Sequence, residues 1–454
     1  MFKKVLIANR GEIALRIIRA CRELGLQSVA VFSTADRDSL HVKFADQSVC
    51  IGPQQSSLSY LSPKALIAAA EIMGAEAVHP GYGFLAENAD FAQICLDHEL
   101  TWIGPSPEAI QALGNKSEAK RLMNEAGCPG IPGSDGPVAD LDEGRKIAEQ
   151  IGYPVMIKAV AGGGGKGMRL VQKPDNFESG FEMARAEAES SFNNGDLYIE
   201  KAIVNPRHVE IQLLGDGKGG CIHLGERDCS MQRRHQKLIE ESPSPVVDAE
   251  LRKRMCETAV HAASELKYAS AGTMEFLLDA EGSFYFMEMN TRIQVEHPIS
   301  EEVSGVDLVK EQIRVALGKP LISQSRVKLS GHAIECRINA EDPARGFAPS
   351  PGTVTVWNVP GGPGIRVDTH VYQGYKIPPF YDSMIAKLIA FGRDRNEAMQ
   401  RMKRALSEFV VEGVKTTIPF HLEMLNTPEF IAGNIHTKWV EQYMEKQSDK
   451  AAAV

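Results

Sequence analysis

The sequence predicts a doubly wound α/β N-terminal domain followed by a larger α+β body. Three observations carry that reading. Short apolar strand patterns alternate with helical spacings between residues 4 and 104, two acid-bearing strands flank a tight turn at residues 279–283, and glycine- and proline-rich breaks separate the segments. With 454 residues, 43% of them hydrophobic, the chain can bury several cores, and about three domains are expected.

The first strand pattern, residues 4–8, runs into Asn9-Arg10-Gly11-Glu12 and then a helix with Ile13, Ile17, Ala20, Cys21 and Leu24 on one face. Gly25 ends that helix. A second strand follows at 28–33, with Asp36 where a dinucleotide-binding fold places its ribose acid, but the first turn lacks the glycine fingerprint such a fold needs. Further strands fall at 77–79 and 101–104. The turn at 80–87 carries Tyr82 among glycines and suits either a tight connection or a loop that touches a ligand.

Residues 127–136 hold four glycines, Pro129 and Pro132, and are expected to be the hinge into a mobile segment. Strands at 153–159 and 168–171 enclose Gly162-Gly163-Gly164-Gly165-Lys166-Gly167. No helix follows the glycines, and Met168 stands where a P-loop needs lysine, so neither phosphate-binding fingerprint applies. What remains is a glycine-rich hairpin whose bare N–H groups, flanked by Lys158 and Lys166, can close over phosphates.

A strand at 197–202 carries Glu200 and Lys201. The next, at 207–212, places His208, Glu210 and Gln212 on one face. The dense polar run at 226–238 suits a solvated loop, yet it also offers Gln232, His235 and Lys237 to anions.

The stretch 284–298 alternates with period two. Glu288, Asn290, Arg292, Gln294 and Glu296 share one face, and Met287, Met289, Ile293 and Val295 the other. Pairing it as a hairpin with 273–278 sets Glu275 opposite Glu288, about 5 Å apart, which calls for a cation between them. Oxygen ligands from Glu275, Glu288 and Asn290 suit Mg²⁺ or Mn²⁺. A straight strand would hold Glu288 and Glu296 roughly 26 Å apart, so the chain must bend near residues 290–292 if they serve one reaction centre.

The last part contains a strand pattern at 331–340, constrained loops at 349–352 and 378–384, helices at 395–410 and 416–425, and a small polar tail from Gln447 that is expected to be disordered. A net charge of −9 speaks against a nucleic-acid surface, and no apolar run reaches membrane length. Eight cysteines with no CxxC pair, and an N-terminal apolar run too short for a signal peptide, suit a cytoplasmic protein with reduced thiols. Cys221, His223, Cys229 and His235 fit no zinc spacing.

An acidic metal hairpin, a lysine-flanked glycine loop and a second cluster of Arg292, Gln294 and Glu296 suggest ATP chemistry on a small anion. The assembly resembles the ATP-grasp superfamily. Within it, Ala8-Asn-Arg-Gly-Glu-Ile-Ala14, His79-Pro-Gly-Tyr-Gly-Phe-Leu85, Arg227-Asp-Cys-Ser-Met-Gln-Arg-Arg-His-Gln-Lys237, Glu288-Met-Asn-Thr-Arg-Ile-Gln-Val-Glu-His297 and Glu335-Cys-Arg-Ile-Asn-Ala-Glu341 are similar to the biotin carboxylase family. The similarity extends from residue 2 to about residue 445.

The resemblance implies an N-terminal domain at 1–114, an ATP-grasp domain at 115–330 with a mobile lid at about 131–204, and a C-terminal α+β domain at 331–446. It implies Mg²⁺ (or Mn²⁺) on Glu275 and Glu288 with Asn290 close by, and ATP phosphates on Lys116, Lys158, His208 and a lid containing Gly163, Gly164, Gly165 and Lys166. Glu200, Lys201 and Leu277 would line the adenine, with Gln232 and His235 on the ribose side. Bicarbonate would sit among Lys237, Arg292, Gln294 and the Val295 backbone, with Glu296 as general base. Arg337 would stabilise biotin, with Tyr82 near its ring. The chain has no Met-Lys-Met biotinyl segment, so biotin is expected on a separate biotin carboxyl carrier protein, with separate carboxyltransferase subunits finishing the reaction. A homodimer is implied, with Arg16 and Arg19 on its surface, and the expected setting is the acetyl-CoA carboxylase of fatty acid synthesis.

Overall fold

A computed structural model describes residues 2–160, 168–192 and 194–452. The glycine run, including Gly163, Gly164, Gly165 and Lys166, lies outside the described residues. The chain forms two compact units, one of residues 1–128, 207–276 and 287–454, the other of residues 129–206 and 277–286.

In the first unit β1 (Lys4–Ile7), β2 (Gln27–Ser33), β3 (Gln47–Gly52), β4 (Ala77–His79) and β5 (Thr101–Trp102) form a parallel sheet in the order β3-β2-β1-β4-β5. Strand β1 is buried on both faces, as parallel strands under crossover helices must be. Val5 and Ile7 pack with Ile13 and Ile17 of the helix α1 (Gly11–Glu23), whereas Leu6 joins Val29, Val78 and Phe91 on the opposite side. The helix ends as its sequence predicts: Gly25 is left-handed (φ 72°) and the Leu26 N–H returns 2.9 Å to the Cys21 carbonyl. Asp36 is no ribose acid. It is buried, with Arg10 Nη2 at 2.7 Å and the Tyr60 hydroxyl at 2.6 Å, so its charge serves the core.

The second unit holds β6 (Val155–Ala159), β7 (Met168–Val171) and β8 (Leu197–Lys201), antiparallel in the order β7-β6-β8. Helices Leu141–Ile151 and Phe177–Phe192 belong to the same unit, and Phe177 and Phe181 share its core with Val155, Ile157 and Ile199.

An eight-stranded sheet carries the site. Strands β9 (Arg207–Asp216), β10 (Cys221–Arg233), β11 (Gln236–Ser242), β12 (Ala269–Leu278), β13 (Phe284–Asn290) and β14 (His332–Asn339) run in the order β13-β12-β9-β10-β11-β14, followed by Met384–Gly392 and Ile365–Thr369. The polar run at 226–238 is therefore not a solvated loop. It forms most of β10 and the start of β11, with Arg227 and Lys237 paired to acids on β9, β12 and the turn after β13. The sheet also continues from β11 to β14, so the segments before and after residue 330 share one hydrogen-bonded ladder. Helix Arg395–Glu408, capped by the Asp394 side chain, covers it with Ala398, Met402 and Ala405.

Two expectations need correction. The tail from Gln447 does not start as disorder: helix Trp439–Ala452 continues into it, anchored by buried Trp439 and Val440. Arg16 is not a solvated arginine, although it lines a groove together with Arg19. It is buried, with Nη2 2.8 Å from Glu301 and 2.6 Å from Asp307, while Arg19 on the same helix remains exposed.

Candidate active site

The first unit contains a cavity of about 700 Å³. Of the residues singled out in the sequence, Tyr82, His208, Gln232, His235, Lys237, Glu275, Glu288, Asn290, Arg292, Gln294, Val295, Glu296 and Arg337 all line it. Lys116 belongs to the same unit and starts the helix Lys116–Glu125; it is not a lining residue, though its charge acts on Glu288. Lys158, Glu200, Lys201 and Leu277 belong to the second unit. There Lys158 Nζ lies 2.5 Å from Glu200 Oε2, and Lys201 Nζ donates to the carbonyls of Gly152 and Tyr153.

The site rests on alternation along β9. His208, Glu210 and Gln212 point to one face, and β10 sets Arg227 directly across from Glu210. Arg227 is fully buried. Its guanidinium donates to Glu210 Oε1 (2.6 Å), Gln212 Oε1 (2.6 Å), Ser300 Oγ (2.9 Å), Thr273 Oγ1 (3.2 Å) and Gln294 Oε1 (2.6 Å), which uses the planar donor fork fully.

Lys237, on β11, completes the arrangement. Its ammonium donates to Glu210 Oε2 at 2.7 Å, Glu275 Oε1 at 3.1 Å and Glu296 Oε1 at 2.6 Å, three carboxylates for three N–H bonds. Between β10 and β11 the turn residues Arg234 and His235 both take positive φ (50° and 64°), the geometry of a two-residue hairpin, and this turn brings His235 to the cavity.

The segment after β13 bends, as the separation of Glu288 from Glu296 demands. The strand stops at Asn290, residues 291–296 turn, and helix His297–Ser304 begins. Glu275 fastens the bend from below: Asn290 Nδ2 donates to its Oε1 at 2.8 Å and Gln294 Nε2 at 2.7 Å. Arg292 lies across the outside, donating to Glu87 Oε2 at 2.9 Å and Asn290 Oδ1 at 3.0 Å. Glu296 is buried with one oxygen on Lys237 and the other 2.9 Å from Arg337 Nη2, whose Nε donates to Glu240 at 2.5 Å.

Burial alone would push these carboxyls toward the neutral form, yet Lys237 and Arg337 overcome it at Glu296 and hold its pKa below the usual carboxylate value. Glu275 is likewise held down, by Lys237 and His208 against burial. Burial opposes a charge on His208, but Glu275 prevails and raises it to about 9. Its Nε2 is 3.2 Å from Glu275 Oε2 and 3.3 Å from Glu210 Oε2, close enough for charge attraction without the alignment of a hydrogen bond.

Ligand-type atoms of His208, Glu210 and Glu275 cluster within 4.8 Å, and Lys237 binds both of these acids. In the cluster of Glu210, Cys229 and Glu296, burial drives the Cys229 thiol well above its ordinary pKa, leaving it protonated. Glu288 is different. It is exposed to the cavity, and burial of its carboxyl together with the charge of Glu275 raises its pKa, the strain a divalent cation at an oxygen site relieves.

The residues that sequence reasoning left without a role are Arg227, Glu210, Glu240, Glu12 and Lys387. Arg227 lies inside one of the motifs above and Glu210 on the strand before it. Only the strand register shows that they face each other.

The acidic hairpin, the antiparallel sheet and the buried cage of carboxylates and cations define an enzyme of the ATP-grasp type. Family models match residues 1–110 (biotin carboxylase, N-terminal domain), 115–324 (carbamoyl-phosphate synthase L chain, ATP binding domain) and 335–442 (biotin carboxylase C-terminal domain). The biotin carboxylase of Nostoc sp. is 58% identical, over 97% of this chain and 99% of its own. A pyruvate carboxylase subunit from Methanothermobacter thermautotrophicus is 55% identical, over 98% and 90%. A crystal structure of the biotin carboxylase domain dimer of Hydrogenobacter thermophilus 2-oxoglutarate carboxylase, with MgADP, ADP and bicarbonate, superimposes with a TM-score of 0.85 at 50% identity, covering 98% of each chain. The chain belongs to the biotin carboxylase family: it is a ligase that carboxylates biotin at the expense of ATP.

Proposed function

We propose that the cavity converts bicarbonate and ATP to carboxyphosphate and passes the carboxyl group to biotin on a separate carrier protein. One observation carries this reading: Glu296, an ionised buried carboxylate, is held between Lys237 and Arg337. Glu296 removes the bicarbonate proton, and the freed oxygen attacks the γ-phosphorus of ATP as the bond to ADP breaks. Lys237, Arg292, Gln294 and the Val295 backbone hold the anion. Carboxyphosphate then splits into CO₂ and phosphate, the phosphate takes the ureido N–H proton of biotin, and that nitrogen bonds to the CO₂ carbon. Arg337 stabilises the charge that develops on the ureido oxygen, and Tyr82 borders the ring.

Glu275 and Glu288, with Asn290 beside them, are the residues that would hold Mg²⁺, which when bound offsets phosphate charge. Lys116, Lys158 and His208 serve the phosphates, as do Gly163, Gly164, Gly165 and Lys166 of the lid. Glu200, Lys201 and Leu277 serve the adenine, and Gln232 and His235 the ribose. Residues 1–114, 115–330 and 331–446 act as the three domains of this machine, in a homodimer.

We assign the enzyme to acetyl-CoA carboxylase in the cytoplasm, acting with a biotin carboxyl carrier protein and carboxyltransferase subunits. The identity to biotin carboxylases named as such supports this, and all eight cysteines are unpaired. No helix among the described residues is long and apolar enough to cross a membrane. The identity to a subunit of pyruvate carboxylase favours a second setting, in which the same half-reaction serves pyruvate. The test of the reaction is ADP release with each component omitted in turn: turnover should require bicarbonate, Mg²⁺ and free biotin together. Turnover indifferent to biotin would overturn the reading. Copurification with carboxyltransferase subunits specific for acetyl-CoA or for pyruvate separates the two settings.

A further inference from the structure

Lys387 lies in the strand Met384–Gly392, its side chain has no solvent exposure, and it stands directly opposite Arg337 on one neighbouring strand and Asp368 on the other. Two cations paired across strands in the interior repel each other and are costly to desolvate. What Lys387 reaches explains why a cation is there. Its Nζ donates to the Val295 carbonyl at 2.9 Å and lies 3.1 Å from Glu12 Oε1, with Asp368 Oδ2 at 4.0 Å. Glu12 in turn accepts the Tyr82 hydroxyl, and Tyr82 lines the cavity.

The Val295 carbonyl belongs to the peptide that leads into Glu296, so whatever grips that oxygen sets where the Glu296 backbone starts. The turn 291–296 is also held by Glu275 on the Gln294 side chain, by Glu87 on the Thr291 N–H and the Arg292 side chain, and by the His297 ring on the Gln294 carbonyl. Among the described residues, Lys387 is the side chain whose hydrogen bond to this carbonyl comes from the other end of the sheet.

We propose that Lys387 is a positioning residue for bicarbonate: by clamping the Val295 carbonyl, with Glu12 as its counter-ion, it fixes the peptide between the bicarbonate-binding backbone and the general base. The same Glu12 carboxylate fixes Tyr82, so one buried ion pair registers the biotin side of the cavity against the bicarbonate side. The proposal rests on the functional reading above.

The experiment measures KM for bicarbonate and for MgATP in biotin-dependent ATP turnover by the full-length chain. Lys387→Met should raise the bicarbonate KM by roughly 10- to 100-fold, the scale of losing about an ångström of alignment, and leave the MgATP KM within about twofold. Because Lys387→Met strands a buried carboxylate, the pair Glu12→Gln with Lys387→Met is measured alongside. It removes both charges and should keep the fold while retaining the raised bicarbonate KM. Amide exchange at Val295–His297 should quicken in both variants. An unchanged bicarbonate KM in a folded variant, or equal rises for both substrates, overturns the proposal while wild-type turnover leaves the functional reading intact. A wild-type enzyme that needs no bicarbonate overturns both.

Discussion

Lys237 Nζ stands 2.6 Å from Glu296 Oε1, and the same ammonium also binds Glu210 and Glu275. One cation thus joins the carboxylate proposed as base to one proposed to hold the metal. The general base is kept ionised by the group that also attracts the anion it must deprotonate, and the two halves of the chemistry share one electrostatic fixture.

Glu296→Gln keeps the shape of the side chain and removes the basic oxygen. Biotin-dependent ATP turnover should fall by about 10²–10⁴ in kcat, the usual worth of a general base. Melting temperature should fall as well, because the amide oxygen can accept from Lys237 or from Arg337 but not both, and its NH2 then faces the other buried cation. A steady-state ADP assay and a thermal melt check the two halves of that statement.

Arg227 is the deepest cation of the site, and its loss uncovers Glu210. Arg227→Met should cost about 3–5 kcal/mol of stability, the scale for breaking a buried ion pair by removing one partner. Arg227→Lys should rescue little of it, since an ammonium cannot serve five acceptors in one plane. The midpoint of urea unfolding reads both.

Glu241 and Glu240 are sequence neighbours on β11 with opposite pH signatures. Burial opposes the Glu241 charge, but His332 and Arg395 outweigh it and hold its pKa at about 2, below the ordinary 4.5. Between those values the unfolded chain binds the extra proton, so this contribution is present above 4.5 and is lost as pH falls toward 2. At Glu240 burial wins over Arg337 and the pKa rises to about 7. There the folded chain binds the extra proton, and stability falls as pH rises from 4.5 to about 7. Glu241→Gln should flatten the acid limb of a stability–pH profile and Glu240→Gln the limb approaching neutrality.

Glu288 carries the exposed half of the proposed metal site. Glu288→Gln should raise the Mg²⁺ concentration for half-maximal turnover by about tenfold or more, on the scale of removing a group that supports a metal site. Its biotin KM at saturating Mg²⁺ should be unchanged. Metal titrations at fixed ATP measure it.

The parts of this molecule legible from sequence are those whose signal is local. The alternation of β1 with α1, Gly25 at the helix end, the acidic strands flanking a turn and the need for a bend before Glu296 all follow from spacing within a few residues, and all are present in the structure. The failures involve partners far along the chain. Arg16 reads as a solvated arginine because nothing near it in sequence explains burial; Glu301 and Asp307, nearly three hundred residues away, supply the reason. The polar run at 226–238 reads as a loop because its polarity looks solvated, whereas Arg227 and Lys237 are paired in the interior with acids on β9, β12 and the turn after β13. Lys387 gave no signal at all, since a lone lysine in an apolar strand pattern becomes meaningful only beside Glu12 and Val295.

The central claim is that Glu296 activates bicarbonate for transfer to biotin. The most direct measurement follows ¹³C from labelled bicarbonate into carboxybiotin, using free biotin, ATP and Mg²⁺. Labelled carboxybiotin should form with the wild-type chain, depend on ATP, and be lost with Glu296→Gln. Labelled product at the wild-type rate from Glu296→Gln, or none from the wild type, would contradict the account.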